Sequence, residues 1–134
     1  MLNNILYACY YKSAIGGLYI ILSNILDKKV NPILSNTISY IFTLILNFML
    51  DTFIFKPNIT SKTGYFLNYI YVEFILYLLI YWITGYFLKK KKYYNKYLKL
   101  GKYYNTIIRC IVLSFTFLLF TYPLKNYIFE YNYI

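Results

Sequence analysis

Four apolar stretches, each long enough to cross a lipid bilayer, constrain this chain more than any other feature. They lie near residues 10–27, 32–55, 65–88 and 106–129. A hydrocarbon core about 30 Å thick needs ~20 residues of helix. The stretches lack the alternation of a lipid-facing strand, so helices are predicted rather than a barrel. Apolar residues make up 60% of the chain and charged residues 13%, which excludes an ordinary soluble domain. We therefore predict an all-α, multi-pass membrane protein in which residues 1–134 form a single integral-membrane domain.

A short signature occurs twice, each time at the end of an apolar stretch. Residues 50–55 read Leu-Asp-Thr-Phe-Ile-Phe, and residues 124–129 read Leu-Lys-Asn-Tyr-Ile-Phe. Both copies contain Leu, two polar residues, an aromatic residue, Ile and Phe, and they lie about half a chain apart. This spacing predicts four transmembrane helices arranged as a tandem repeat of two-helix units. Lys12 interrupts the first stretch, where a cleaved signal peptide is the alternative. A retained helix is preferred because no clean cleavage site follows.

Basic residues are distributed unevenly between the two predicted membrane surfaces. Four helices place both termini and the 56–64 loop on one surface, the terminal side, and the 28–31 and 89–105 loops on the other, the loop side. Ten basic residues fall on the loop side and four on the terminal side, which predicts a cytoplasmic loop side. Seven of the ten lie in the Lys-rich loop 89–105. This loop fits either a solvated topogenic segment or a surface for anionic lipid. Nucleic-acid binding is the weaker alternative, and no nucleic-acid partner is expected.

Residue types that carry metal or nucleophilic chemistry are scarce. The chain has no His, and its two cysteines, Cys9 and Cys110, are about 100 residues apart. Neither a metal site nor a disulfide framework is therefore predicted. Asp51 and Glu73 have the chemistry of an acid–base pair, but no other residue supports hydrolysis or group transfer. We expect a protein without enzymatic activity and without a cofactor.

The second predicted helix carries a polar residue at every fourth position from 35 to 51. That spacing places these residues on one helix face. Small polar side chains let membrane helices approach closely and hydrogen-bond to one another. On the first helix, Ser13 and Gly17 have the matching small-xxx-small spacing. We predict that helix packing involves Ser13, Gly17, Ser35, Ser39 and Thr43.

Four charged residues are embedded in four different predicted helices near the terminal side. They are Lys12, Asp51, Glu73 and Lys125, in chain order. A charge at the centre of a membrane helix costs ~2.5–3.5 kcal/mol on insertion scales, so such residues usually face the bundle and pair. Two salt bridges, with lysines reaching toward the interface, are one interpretation. The functional alternative is a shallow head-group pocket formed by Lys12, Asn47, Asp51, Glu73, Lys125 and Asn126.

Several segments carry motifs that resemble those of a known membrane-protein family. Residues 12–17 read Lys-Ser-Ala-Ile-Gly-Gly, and residues 31–36 read Asn-Pro-Ile-Leu-Ser-Asn. Residues 46–55 begin Leu-Asn-Phe and end Phe-Ile-Phe. These three segments look like the first half of the GtrA-like family. Residues 121–129, Thr-Tyr-Pro-Leu-Lys-Asn-Tyr-Ile-Phe, are similar to its closing motif.

The resemblance implies a four-helix membrane protein of polysaccharide and glycan synthesis, related to the membrane part of some dolichol-phosphate-mannose synthases. Such proteins are thought to translocate polyprenyl-phosphate-linked sugars or to accompany the glycosyltransferase that makes them. Lys125 then matches a basic position, whereas Asp51 stands where a basic residue is usual. The implied partners are membrane lipid, a polyprenyl-phosphate-linked sugar, a glycosyltransferase and a second copy of the chain. The resemblance also implies cytoplasmic termini, against the lysine count, so orientation stays open.

Within that interpretation, Lys12 and Lys125 bind the phosphate while Asn47 and Asn126 bind the sugar. A non-transporting membrane adaptor for a glycosyltransferase is the alternative function. A small drug-type antiporter would need a carboxylate midway along the first helix, but residues 1–26 contain no acid. A viral or parasite membrane protein without a transport role also fits the composition.

Overall fold

The computed structural model describes residues 2–58 and 61–131, and for Leu2 the backbone alone. No strand occurs within these two ranges. The helices are α1 (Leu2–Leu26), α2 (Pro32–Met49), α3 (Lys62–Lys89), α4 (Lys91–Leu98), α5 (Tyr104–Thr116) and α6 (Tyr122–Phe129). Two π-helical turns, Leu50–Ile54 and Phe117–Thr121, extend α2 and join α5 to α6.

Four helical stretches are long and apolar enough to cross a membrane. Their bounds are Asn3–Leu26, Pro32–Ile54, Lys62–Lys89 and Gly101–Phe129. The prediction of an all-α chain with four membrane-length helices is therefore confirmed. The first helix differs from the expectation, since it begins at Leu2 rather than near residue 10. Lys12 consequently lies near the middle of α1, and Glu73 lies near the middle of α3. These two charges lie farther from the helix ends than the sequence suggested, whereas Asp51 and Lys125 lie near the ends of their stretches as expected.

The segment predicted as a Lys-rich loop, residues 89–105, contains regular structure. Helix α4 and a 3₁₀ turn, Gly101–Tyr103, occupy most of this segment. Lysine is a good helix former, and no Gly or Pro interrupts the run before Gly101. The Asn95 side chain ends the helix by accepting hydrogen bonds from the Leu100 and Gly101 backbone N–H groups, both at 2.9 Å. Gly101 has a φ of +61°, a conformation that glycine adopts without strain.

Local sequence explains where the long helices begin and how the last one accommodates its proline. Asn31 caps α2 by accepting a hydrogen bond from the Ile33 backbone N–H at 2.8 Å, with Pro32 at the first helical position. Ser61 caps α3 in the same way through the Gly64 N–H. Pro123 cannot donate a backbone hydrogen bond, and the π-helical turn Phe117–Thr121 lies immediately before it. The fourth stretch therefore stays helical across its proline.

Helix α1 packs mainly along α2, whereas α3 packs against α2 and α5. The polar ridge of α2 takes part in this packing, because Ser35, Ser39 and Thr43 are all buried. The packing predicted for the small residues of α1 is wrong. Ser13 is exposed, and a side chain added at Gly17 would meet no atom within 4 Å. A partly open space, rather than a neighbouring helix, lies beside this face of α1.

Candidate functional site

The four embedded charges meet in one network. Lys125 Nζ lies 2.8 Å from Asp51 Oδ2 and also contacts Glu73 Oε1. Lys12 Nζ lies 2.7 Å from Asp51 Oδ1 and donates a hydrogen bond of 2.7 Å to Asn47 Oδ1. Asp51, Glu73 and Lys125 are almost completely buried, while 13% of the Lys12 side chain is exposed. Two acids and two bases thus form an electrically neutral group contributed by four helices.

Two of the twenty tyrosines complete this network, and neither was among the predicted site residues. The Tyr69 hydroxyl donates a hydrogen bond of 2.8 Å to Asp51 Oδ2, and its ring lies 4.6 Å from Lys125 Nζ. The Tyr40 hydroxyl contacts Glu73 Oε2. Tyr69 lies four residues before Glu73, on the same face of α3, which is the one signal that sequence spacing offered. Each carboxylate thus receives a hydroxyl donor as well as a lysine. Asp51 Oδ1 accepts no hydrogen bond and is compensated by its ion pair with Lys12 alone.

The structure brings together five of the six predicted head-group residues. The sixth, Asn126, makes no side-chain hydrogen bond within the described ranges, and its buried Oδ1 atom accepts none. Asn126 follows Lys125 directly, so the two side chains leave the helix in different directions. We therefore remove Asn126 from the predicted site, which retains Lys12, Asn47, Asp51, Glu73 and Lys125.

A cavity of about 530 Å³ adjoins the network. Lys12, Asn47, Glu73 and Lys125 line its polar end. The remainder is lined largely by apolar side chains of α1, α3 and α5, including Ile20, Leu76, Ile80 and Leu113. The cavity is open between α1 and α5, where Ser13, Cys110, Ser114 and Leu118 line it and are exposed. It therefore combines a charged end with an apolar body and a lateral opening.

A second polar network, which the sequence interpretation missed, lies near the loop side. Arg109 on α5 binds Asp27 through both terminal nitrogens, at 2.6 and 2.8 Å, and donates a hydrogen bond of 2.6 Å from Nε to Asn36 Oδ1. Its side chain is completely buried. Arg109 is the only arginine in a chain that contains thirteen lysines. A planar guanidinium can bind a carboxylate through two nitrogens. The use of arginine at this one position was therefore the sequence signal for the ion pair. The network ties the turn between α1 and α2 to α5.

Asp27 makes folding sensitive to acid. Burial alone would raise the pKa of Asp27, but the hydrogen bonds and charge of Arg109 outweigh it and hold the pKa below the usual 3.8. A lowered folded-state pKa stabilises the protein above the unfolded-state pKa, and this stabilisation is lost as pH falls through the folded-state value. We expect the difference in unfolding free energy between wild type and Asp27→Asn to be constant from pH 7 to about pH 5 and to shrink below it. Detergent-unfolding titrations at several pH values measure this difference. A difference independent of pH down to 3 would contradict the assignment.

Comparisons with known proteins do not assign the chain to a family. No family model, curated protein or solved structure matches the chain. No group of three or more metal-ligating side chains occurs in the part of the chain that the structure describes.

Proposed function

We propose that this chain is a GtrA-like, multi-pass membrane protein that binds a polyprenyl-phosphate-linked sugar and assists its translocation in polysaccharide or glycan synthesis. The cavity is the observation that carries the proposal. Its volume of about 530 Å³ falls within the ~300–1,000 Å³ of small-molecule sites. A lipid-linked sugar phosphate has an anionic, hydroxyl-rich head and an apolar tail. The charged end complements the head, and the apolar body with its lateral opening complements the tail.

Lys12 is the residue best able to bind the phosphate. Lys125 is held by two carboxylates and the Tyr69 hydroxyl, and it is 3% exposed. Lys12 has one carboxylate partner and one amide partner, lines the cavity and retains some exposure. An incoming phosphate can therefore replace Asn47 in the contacts of Lys12, which keeps its ion pair with Asp51, while Lys125 stays paired with both carboxylates. The sequence-based expectation named both Lys12 and Lys125 as phosphate partners, and the proposal now assigns the direct contact to Lys12.

Filling the cavity is the sharpest test of the proposal. We expect Gly17→Phe to abolish binding of a polyprenyl phosphate, because Gly17 lines the cavity and has open space beside it. The substitution removes a glycine from a helix interior, so it favours the helix rather than disrupting it. Native mass spectrometry of the detergent-purified protein, with added polyprenyl phosphate, measures the bound fraction.

Ala14→Phe is the matched control. Ala14 is also in α1, but it is exposed and faces away from the cavity. This variant should bind lipid like the wild type. Equal binding by all three proteins would contradict the proposal, as would loss in the control alone.

Neutralising Lys12 tests the head-group contact separately from the tail. We expect Lys12→Gln to weaken polyprenyl-phosphate binding roughly ten-fold or more, since a hydrogen bond to a charged group is worth about 1.5–3 kcal/mol. Binding of the uncharged polyprenol should change little. Lys62→Gln, at an exposed position outside the cavity, serves as the control in the same titration. An equal loss for phosphate and alcohol would contradict a role for Lys12 in phosphate recognition.

The adaptor function predicts a different result. An adaptor for a glycosyltransferase needs an exposed helix face or loop, and it tolerates a filled cavity. Co-purification of a glycosyltransferase with both Gly17→Phe and wild type, without lipid binding by either, would favour this alternative.

The tandem repeat is part of the same proposal. Asp51 and Lys125 occupy equivalent positions in the two copies of the signature, and they form an ion pair of 2.8 Å. The terminal residues of the two copies, Phe55 and Phe129, belong to one buried cluster. Contacts between equivalent positions are what a local two-fold arrangement of two duplicated units produces.

A further inference from the structure

We propose that α4 and its flanking residues form a surface that binds the head groups of anionic phospholipids in the surrounding leaflet. The surface comprises residues 89–103, between the end of α3 and the start of α5. It is separate from the cavity and uses none of the residues that line it. Three observations support it: position, uncompensated charge and the aromatic residues beside that charge.

The position of α4 follows from its neighbours. Helix α3 is long and apolar enough to span a bilayer and ends at Lys89, and the next membrane-length stretch begins at Gly101. A helix of 8 residues between two such stretches has to lie beside the membrane surface. Tyr94 fixes it there, since its hydroxyl is 3.0 Å from that of Tyr86 and its ring lies 5.5 Å from that of Phe87, both on α3. The Tyr104 hydroxyl also donates a hydrogen bond of 2.6 Å to the Phe87 carbonyl oxygen.

All the charged side chains of this surface are positive. Residues 89–103 contain seven lysines and no acid. Every ion pair found among the described residues lies elsewhere, in the two buried networks. Lys89, Lys90, Lys92, Lys96, Lys99 and Lys102 are exposed. The lysines therefore need counter-charges from outside the protein, and a leaflet containing anionic lipids supplies them within reach.

Aromatic and apolar side chains accompany the lysines. Tyr93, Tyr97, Leu98 and Tyr103 are all more than half exposed, at 58%, 65%, 53% and 59%. Tyrosine is stable at the level of the lipid head groups, where its ring is in an apolar environment and its hydroxyl remains hydrated. The combination of lysines with exposed tyrosines is typical of a helix lying in a membrane interface. A segment that is only solvated would not explain why these tyrosines and Leu98 are exposed beside the lysines.

The test uses the full-length protein in nanodiscs containing equal amounts of phosphatidylglycerol and phosphatidylcholine. Native mass spectrometry after partial delipidation measures which lipid is retained. One variant carries Lys91→Gln, Lys92→Gln, Lys96→Gln and Lys99→Gln, changes that preserve helix propensity. The matched control carries four changes at exposed lysines outside α4, namely Lys28→Gln, Lys29→Gln, Lys56→Gln and Lys62→Gln.

Each lysine near an anionic surface contributes roughly five-fold to binding. We therefore expect the wild type and the control to enrich phosphatidylglycerol by about five-fold or more, and the α4 variant, which keeps only Lys89, Lys90 and Lys102, to lose most of that enrichment. Raising salt from 0.1 to 1 M should reduce the wild-type enrichment, because the screening length falls from about 10 to about 3 Å. Equal losses in the two variants would assign the effect to net charge and overturn the proposal. So would unchanged enrichment in the α4 variant.

Discussion

Replacing Lys125 with methionine should destabilise the protein by about 3–5 kcal/mol, the usual cost of removing one partner from a buried ion pair. The substitution keeps the apolar part of the side chain and removes the charge. Asp51 would retain Lys12 as a partner, but Glu73 would lose its lysine while remaining 3% exposed. An uncompensated carboxylate at that depth is the physical source of the loss. Reversible unfolding by sodium dodecyl sulfate in mild detergent measures it.

A second substitution distinguishes charge imbalance from lost packing. Lys125→Met combined with Glu73→Gln leaves a neutral site containing the Lys12–Asp51 pair. We expect this double variant to recover more than half of the lost stability, as coupled positions commonly do. Lys96→Met, at an exposed position on α4, should stay within about 0.5 kcal/mol of wild type. A double variant as unstable as the sum of the two single variants would show that shape, not charge, dominates this site.

Replacing Asp27 with asparagine should cost about 3 kcal/mol, at the low end of the range for broken buried pairs. The buried guanidinium of Arg109 would keep its hydrogen bonds to Asn36 and Asn24 and to the Pro32 carbonyl oxygen, but lose its counter-charge. The introduced amide still accepts one hydrogen bond, which limits the loss. The same unfolding titration at pH 7 measures the effect.

The matched control is the acid outside both networks. Of the four acids in the chain, Glu130 alone is exposed, and its carboxylate accepts a hydrogen bond of 3.1 Å from the Asn58 side chain. Glu130→Gln should therefore change the unfolding free energy by less than about 0.5 kcal/mol. Comparable losses for Asp27→Asn and Glu130→Gln would contradict the importance of the Arg109 network.

The two networks show how far sequence reasoning could reach. Embedded charges on four helices are expensive enough that they were expected to meet, and Lys12, Asp51, Glu73 and Lys125 do meet. Sequence spacing gives no register between helices, so it did not indicate that Arg109 reaches Asp27 across the bundle. The sequence positions of small residues also did not show whether they pack against another helix or border a cavity. Those of α2 are buried in helix packing, while Gly17 borders a cavity, because a residue of small volume permits either arrangement.

The sequence by itself determined the number of membrane-length helices, since the length and continuity of apolar stretches leave few alternatives in a lipid environment. It also determined that the embedded charges had to be paired. Only the tertiary structure decided which charge pairs with which, that Tyr40 and Tyr69 complete the network, and that a cavity adjoins it. The physical reason is that hydropathy depends on one segment at a time. Pairing and cavity shape depend on the relative rotation and depth of helices, which no single segment encodes.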